Sequence, residues 1–147
     1  MKDWTRYYDA AGADPRATLL DALARFDDPG FAVDLGCGTG RNTFELLRRG
    51  WRVLAIDAQE EALRRVRAAV GGCEPLDTQV GTFEDATLPP CDLVNASFAL
   101  PSHTRGDVER LLAGYDPERL DEEVEDSTTV VGDAKQWHLF HVVARKR

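Results

Sequence analysis

No stretch of the 147-residue chain approaches the roughly twenty consecutive apolar residues that a membrane-spanning helix needs, so no membrane partner is expected. The opening residues, Met1-Lys2-Asp3-Trp4-Thr5-Arg6-Tyr7-Tyr8-Asp9, contain no apolar leader core, and a cytoplasmic protein is expected. Cysteine is scarce: three residues, Cys37, Cys73 and Cys91, odd in number and scattered. They form no C-x-x-C pair and no Cys/His spacing, which leaves neither a disulfide framework nor a metal site to predict. Basic charge is also short, with 18 Lys and Arg against 26 Asp and Glu and a net charge of −8. A surface that neutralises phosphates needs clustered Lys and Arg, so no nucleic-acid partner is expected. The terminal Arg145-Lys146-Arg147 reads as a solvated end.

What is present fits one globular domain: 43% hydrophobic and 30% charged residues, in a chain long enough for one core and too short for two. Its organising stretch is Phe31-Ala32-Val33-Asp34-Leu35-Gly36-Cys37-Gly38-Thr39-Gly40, a buried strand running into a glycine-rich turn. A helix pattern follows over Arg41–Arg49. Strand, glycine turn and helix start together predict a nucleotide cradle, because free amides and the helix dipole at a helix start favour negative charge. The spacing is Asp-x-Gly-x-Gly-x-Gly. A dinucleotide fingerprint places its third glycine one position later, where this chain has Arg41.

That motif resembles motif I of the class I S-adenosylmethionine (SAM) dependent methyltransferases, whose cofactor carries an ammonium and a sulfonium and no phosphate. The resemblance implies SAM as cofactor, S-adenosyl-L-homocysteine as product, and a Rossmann-like α/β fold. It places Asp34, Gly36, Cys37, Gly38, Thr39 and Gly40 around the methionine end.

Around the motif the chain is read in order. Trp4, Tyr7 and Tyr8 share one helical face, as a core-packing arm or as a lid over the cofactor; the family resemblance adds Tyr8 to the candidate site. Asp14-Pro15 predicts a helix start, and Leu19, Leu20, Leu23 and Phe26 its apolar face. Trp51–Asp57 is the second strand, and its terminal acid lies about twenty residues past the loop, where βαβ units bind ribose hydroxyls. Asp57, with Ala58 beside it, is therefore a ribose candidate; the alternative is a helix-capping carboxylate. Glu60–Val70 is a helix with Glu60–Arg64 and Glu61–Arg65 pairs on a solvated face. Leu76–Thr82 is a third strand. The family resemblance assigns the next loop to adenine, with Thr82 standing where an acid is common, Glu84 or Asp85 as substitutes, and Phe83 against the ring.

Cys91–Pro101 resembles the family's fourth strand and its exit, which makes Asn95, Ser97, Phe98 and Leu100 candidates for the pocket. The pattern then breaks. The next helix and fifth strand, on the order of 30 residues, are absent. Ser102–Leu112 resembles the helix that normally follows that strand, Tyr115–Glu125 is a polar strand, Asp126–Lys135 an acidic loop, and Trp137–Ala144 a last apolar strand. The expected fold is a single domain over residues 1–147: a Rossmann-like, mostly parallel sheet with helices on both faces and an antiparallel C-terminal hairpin, shortened by one helix–strand unit. Either the last strand pairs directly with the fourth, or that edge stays open as a template for a second chain. A homodimer is expected, with exchange of C-terminal elements as one form.

No catalytic constellation stands out. Methyl transfer from a sulfonium is an in-line displacement that mainly needs alignment. The catalytic residue stays unknown, with His103 the candidate base against a reading as a capping residue. His138 and His141 read as packing or edge residues. The function expected is SAM-dependent methyl transfer to a small-molecule acceptor. The rivals are a SAM-binding module without catalysis and a dinucleotide-dependent oxidoreductase.

Overall fold

The computed structural model describes residues 14–72, 75–82, 85, 87–99, 105–128 and 134–146. Its elements run α1 (Ala17–Leu23), β1 (Phe31–Leu35), α2 (Arg41–Arg48), β2 (Arg52–Asp57), α3 (Glu60–Val70), β3 (Leu76–Val80), β4 (Leu93–Ala99), α4 (Arg105–Leu111), β5 (Tyr115–Thr128) and β6 (Ala134–Lys146). The six strands form one sheet in the order β3-β2-β1-β4-β6-β5. β3, β2, β1 and β4 are mutually parallel, whereas β6 runs antiparallel to both β4 and β5. The place beside β4 is thus filled by the chain's own last strand, from Leu93↔Arg145 to Ala99↔Phe140.

The strands separate two packed layers because alternate residues face opposite ways. Ala32, Val53, Leu93 and Val143 pack with Leu19, Ala22, Leu23, Leu46 and Trp51 from α1, α2 and the start of β2. On the same side Ala55 meets Leu63 and Val66 of α3. Val33, Ile56, Val94 and Val142 point to the other side, beneath Val108 and Leu112 at α4. The central strands are therefore buried on both faces, as parallel strands usually are. The edges are managed by composition. β3 is five residues long with exposed Asp77, Gln79 and Val80, and β5 carries Pro117 beside a shift in register.

One tie holds the starts of β1 and β4 and the end of β6 together. Asp92 Oδ2 accepts the Phe31 amide at 2.8 Å, while the Asp92 amide donates to Phe31 O and its carbonyl accepts from the Lys146 amide. Its carboxylate lies over Gly30, where an added Cβ would come within 2.3 Å of Oδ2.

Several boundaries differ from the sequence reading. α1 begins at Ala17 with Arg16 as its N-cap, not at Asp14-Pro15. The Arg16 amide is instead satisfied by Asn42 Oδ1 of α2 at 2.9 Å, a partner remote in sequence. Glu61 of α3 holds both Arg64 and Arg65, and Glu60 reaches Arg67 in place of Arg64. The hairpin strands reach Thr128 and Ala134, well into the expected acidic loop, because main-chain bonds between β5 and β6 need no buried side chains.

Candidate functional site

The carboxyl ends of β1 and β2 carry the glycine turn and Asp57. Gly36, Gly38 and Gly40 have φ of +71°, +54° and +88°, a left-handed backbone that side chains resist. The turn is pinned to β2. The Gly36 and Cys37 amides both donate to Ile56 O, at 2.7 and 3.0 Å, and the Gly40 amide donates to Cys37 O at 2.9 Å. Gly38 N–H donates to Asp57 Oδ2 at 2.9 Å. The other oxygen of Asp57 accepts the Gln59 amide, also at 2.9 Å. Asp57 thus clamps the turn on one side and braces the entry to α3 on the other. Its half-buried carboxylate retains unused lone pairs, since each oxygen can accept more than one bond. Gly36 and Ala58 are exposed and Gly38 and Thr39 half-exposed, so these residues form an open rim around Asp57.

Below the rim lies Asp34, 1% exposed. Thr43 Oγ1 donates to its Oδ2 at 2.6 Å and Asn95 Nδ2 to its Oδ1 at 2.9 Å. The Thr43 backbone amide, in the first turn of α2, also bonds it. Burial raises the Asp34 pKa, the bonds from Thr43 and Asn95 pull it down, and the charge of Asp57 raises it again. The expectation of a helix start open to an outside anion is corrected by this arrangement: the positive end of α2 is already met by the chain's own buried carboxylate. A ligand pyrophosphate seated there would face that carboxylate, whereas a cationic group would not be repelled.

Of the residues expected at the site, the structure brings Asp34, Gly36, Cys37, Gly38, Thr39, Gly40, Asp57 and Ala58 together at one edge. Two of them do so differently from expectation. The Cys37 side chain is packed with Ala55, Leu63 and Val66 under α3, and burial pushes its thiol pKa well up, so it offers the edge only backbone. Asn95 is fully buried behind Asp34 and does not wall a pocket, because its amide is drawn to the carboxylate. Thr82 and Asp85 bond each other, Thr82 Oγ1 to Asp85 Oδ2 at 2.9 Å, at the exit of β3. Tyr8, Phe83, Glu84, Leu100 and His103 lie outside the described residues. His138 and His141 fall in β6, opposite Val124 and Asp121 of β5.

The sequence reading missed Thr43. A signal was there: Asn42 and Thr43 stand one helical turn before Leu46 and Leu47, so two polar residues occupy the buried stripe of α2. Such residues need internal partners, which here are Arg16 N and Asp34. Among the described residues, no cluster of three His, Cys, Asp or Glu side chains could hold a metal ion, and no helix is long and apolar enough to cross a membrane.

Residues 32–115 match the family model described as a methyltransferase domain. Trans-aconitate 2-methyltransferase of an Enterobacter species is 33% identical over 111 residues, which are 70% of this chain and 43% of that protein. The chain spans less than half the length of the trans-aconitate methyltransferases it matches. Among solved structures, TehB from Haemophilus influenzae superposes with a TM-score of 0.58 at 16% identity, covering 90% of this chain and 62% of that one. The magnesium protoporphyrin IX methyltransferase of Synechocystis, solved with bound SAM, gives 0.53 at 15% identity, covering 89% and 77%. These structural likenesses concern the fold.

Proposed function

Because the chain belongs to the methyltransferase-domain family, the class I SAM-dependent methyltransferases, we propose that it binds SAM at the carboxyl edge of β1 and β2 and directs methyl transfer to a small-molecule acceptor. The observation that carries this reading is the Asp34–glycine turn–Asp57 arrangement. It has a buried carboxylate where a phosphate-binding turn would keep free amides, and a half-buried carboxylate at the strand end, at a place suited to vicinal hydroxyls. When bound, SAM supplies a methyl group activated on a sulfonium. The chain's own residues bind and orient. Gly36, Gly38, Thr39 and Gly40 shape the turn for the methionine end, Asp34 supplies negative charge beneath it, and Asp57 with Ala58 receives the ribose. Phe83 and Glu84 serve the adenine and Tyr8 covers the site, as the family pattern implies.

A second reading is a SAM-binding module that does not itself catalyse. It is favoured by the sheet, in which β6 stands directly beside β4. Titration with SAM and S-adenosylhomocysteine by calorimetry tests both readings. A micromolar constant, about −8 kcal/mol, supports the cradle, and absence of heat at high protein concentration overturns it. Turnover across an acceptor panel that includes trans-aconitate then separates enzyme from module. NADH binding seen by fluorescence would favour a dinucleotide enzyme instead. The proposal extends to a homodimer, with exchange of C-terminal elements between the two copies as one form. A monomer mass independent of concentration in light scattering overturns that part.

A further inference from the structure

Asp34 is an unusual element of a cofactor site, because nothing positively charged in the described chain pairs with it. Its two oxygens take hydrogen bonds from two different elements: Thr43 of α2 on Oδ2 at 2.6 Å, and Asn95 of β4 on Oδ1 at 2.9 Å. Thr43 and Asn95 are both fully buried, and Asp34 is nearly so. A buried carboxylate without a cation is costly, and it stays ionised only where donors hold it.

We propose that Thr43 and Asn95 are positioning residues that favour the ionised form of the Asp34 carboxylate under the glycine turn against the cost of its burial, so that the cationic methionine end of SAM meets a prepared counter-charge. The inference rests on the SAM reading above and deepens it by assigning roles that the motif itself does not contain. The hydroxyl and the amide each act through Asp34 and need no contact with the cofactor. Other groups around the carboxylate oppose its charge or leave it unbalanced. Asp57 at the end of β2 repels it, the Cys37 thiol in the turn is neutral and buried, and β4 contributes the uncharged Asn95. Arg41, the first residue of α2, is the nearest cation along the chain and makes no ion pair with Asp34.

The test compares Thr43→Val, which keeps the shape and removes the donor, with Thr43→Ser, which keeps the donor. Asn95→Leu tests the opposite oxygen from a different strand and serves if Thr43→Val does not fold. Two quantities are read: the titration midpoint of the Asp34 carboxyl carbon by NMR in the ligand-free protein, and SAM affinity by calorimetry across pH. Thr43→Val and Asn95→Leu should each move the Asp34 midpoint upward by about one pH unit. The acid limb of SAM binding should move with it, giving roughly tenfold weaker binding between the two midpoints, and Thr43→Ser should restore the wild-type profile. A folded Thr43→Val protein with the wild-type titration and binding profile overturns the proposal, as does a Thr43→Ser protein as impaired as Thr43→Val. Wild-type protein that binds no SAM at any pH removes the SAM reading itself, and the positioning role with it.

Discussion

Replacing Gly40 by alanine tests why the turn ends in glycine. Gly40 sits at the start of α2 with φ of +88°. An added Cβ there would lie 2.8 Å from Val66 Cγ2 and 2.9 Å from Phe44 Cζ. The Phe44 ring end can move aside. Val66 cannot easily do so, because it is β-branched, fully buried and fixed in α3. Two costs therefore add: about 1–2 kcal/mol for a left-handed alanine, and about 1–3 kcal/mol for forcing a methyl into a filled space. Gly71→Ala isolates the first, since Gly71 has φ of +73° and open space within 4 Å of its added Cβ. Urea unfolding should show Gly40→Ala destabilised by about 2–5 kcal/mol, well beyond Gly71→Ala. Adding Val66→Ala should recover part of the loss, with the double variant milder than the sum of the singles by about 0.5–3 kcal/mol. If Gly40→Ala costs no more than Gly71→Ala, the close approach of α2 to α3 is not what demands glycine, and the reasoning fails.

Asp57→Asn should weaken SAM binding by about 1.5–3 kcal/mol, the worth of hydrogen bonds to a charged acceptor; unchanged affinity by calorimetry would remove Asp57 from the ribose site. Stability should respond to pH through two opposed kinds of carboxylate. Glu45 and Glu61 are each held at about 2 from 4.5, first by hydrogen bonds from Arg48 and Arg64, so their contribution is present above pH 4.5 and is lost as pH falls through about 2. Asp34, raised by burial above 3.8, acts in reverse: its contribution is full below 3.8 and lost as pH rises through the folded value. Urea midpoints of wild type and Asp34→Asn should therefore diverge with rising pH, wild type losing relative to the variant, and parallel curves would contradict a raised Asp34. Cys37 and Cys91 are buried, with thiol pKa values raised by burial, so peptide mapping after treatment with Ellman's reagent should find them modified only on unfolding.

The parallel half of the fold was legible because β1, β2 and β4 are short, largely apolar runs set off by glycine and proline. β1 was read from its apolar run into the glycine turn and the α3 span from its apolar face and charge pairs, and of the two outcomes that the jump past a fifth strand left open, the structure has β6 beside β4. What escaped was whatever depends on a partner distant in sequence. The Asp14-Pro15 start failed because Asn42, met only after folding, satisfies the first turn of α1. Asn95 was placed at a pocket because the end of a parallel strand usually faces one, and local sequence does not reveal the buried carboxylate that claims its amide. The hairpin was read too short because polar residues resemble a loop until a second strand is found to complete their main-chain bonds.

Among the described strands, β4 alone has a parallel neighbour on one side and an antiparallel neighbour on the other. The sheet therefore consists of two modules joined at a single seam. One module takes its register from the β1 crossovers, and the other from the tight pairing of β5 with β6. Neither ladder depends on how many strands lie between them. A chain can lose or gain a strand beyond β4 while the glycine turn and the two acids, built on β1 and β2 and tied to β4 through Asn95, keep their geometry. The fold separates the part that can change length from the part that must stay fixed.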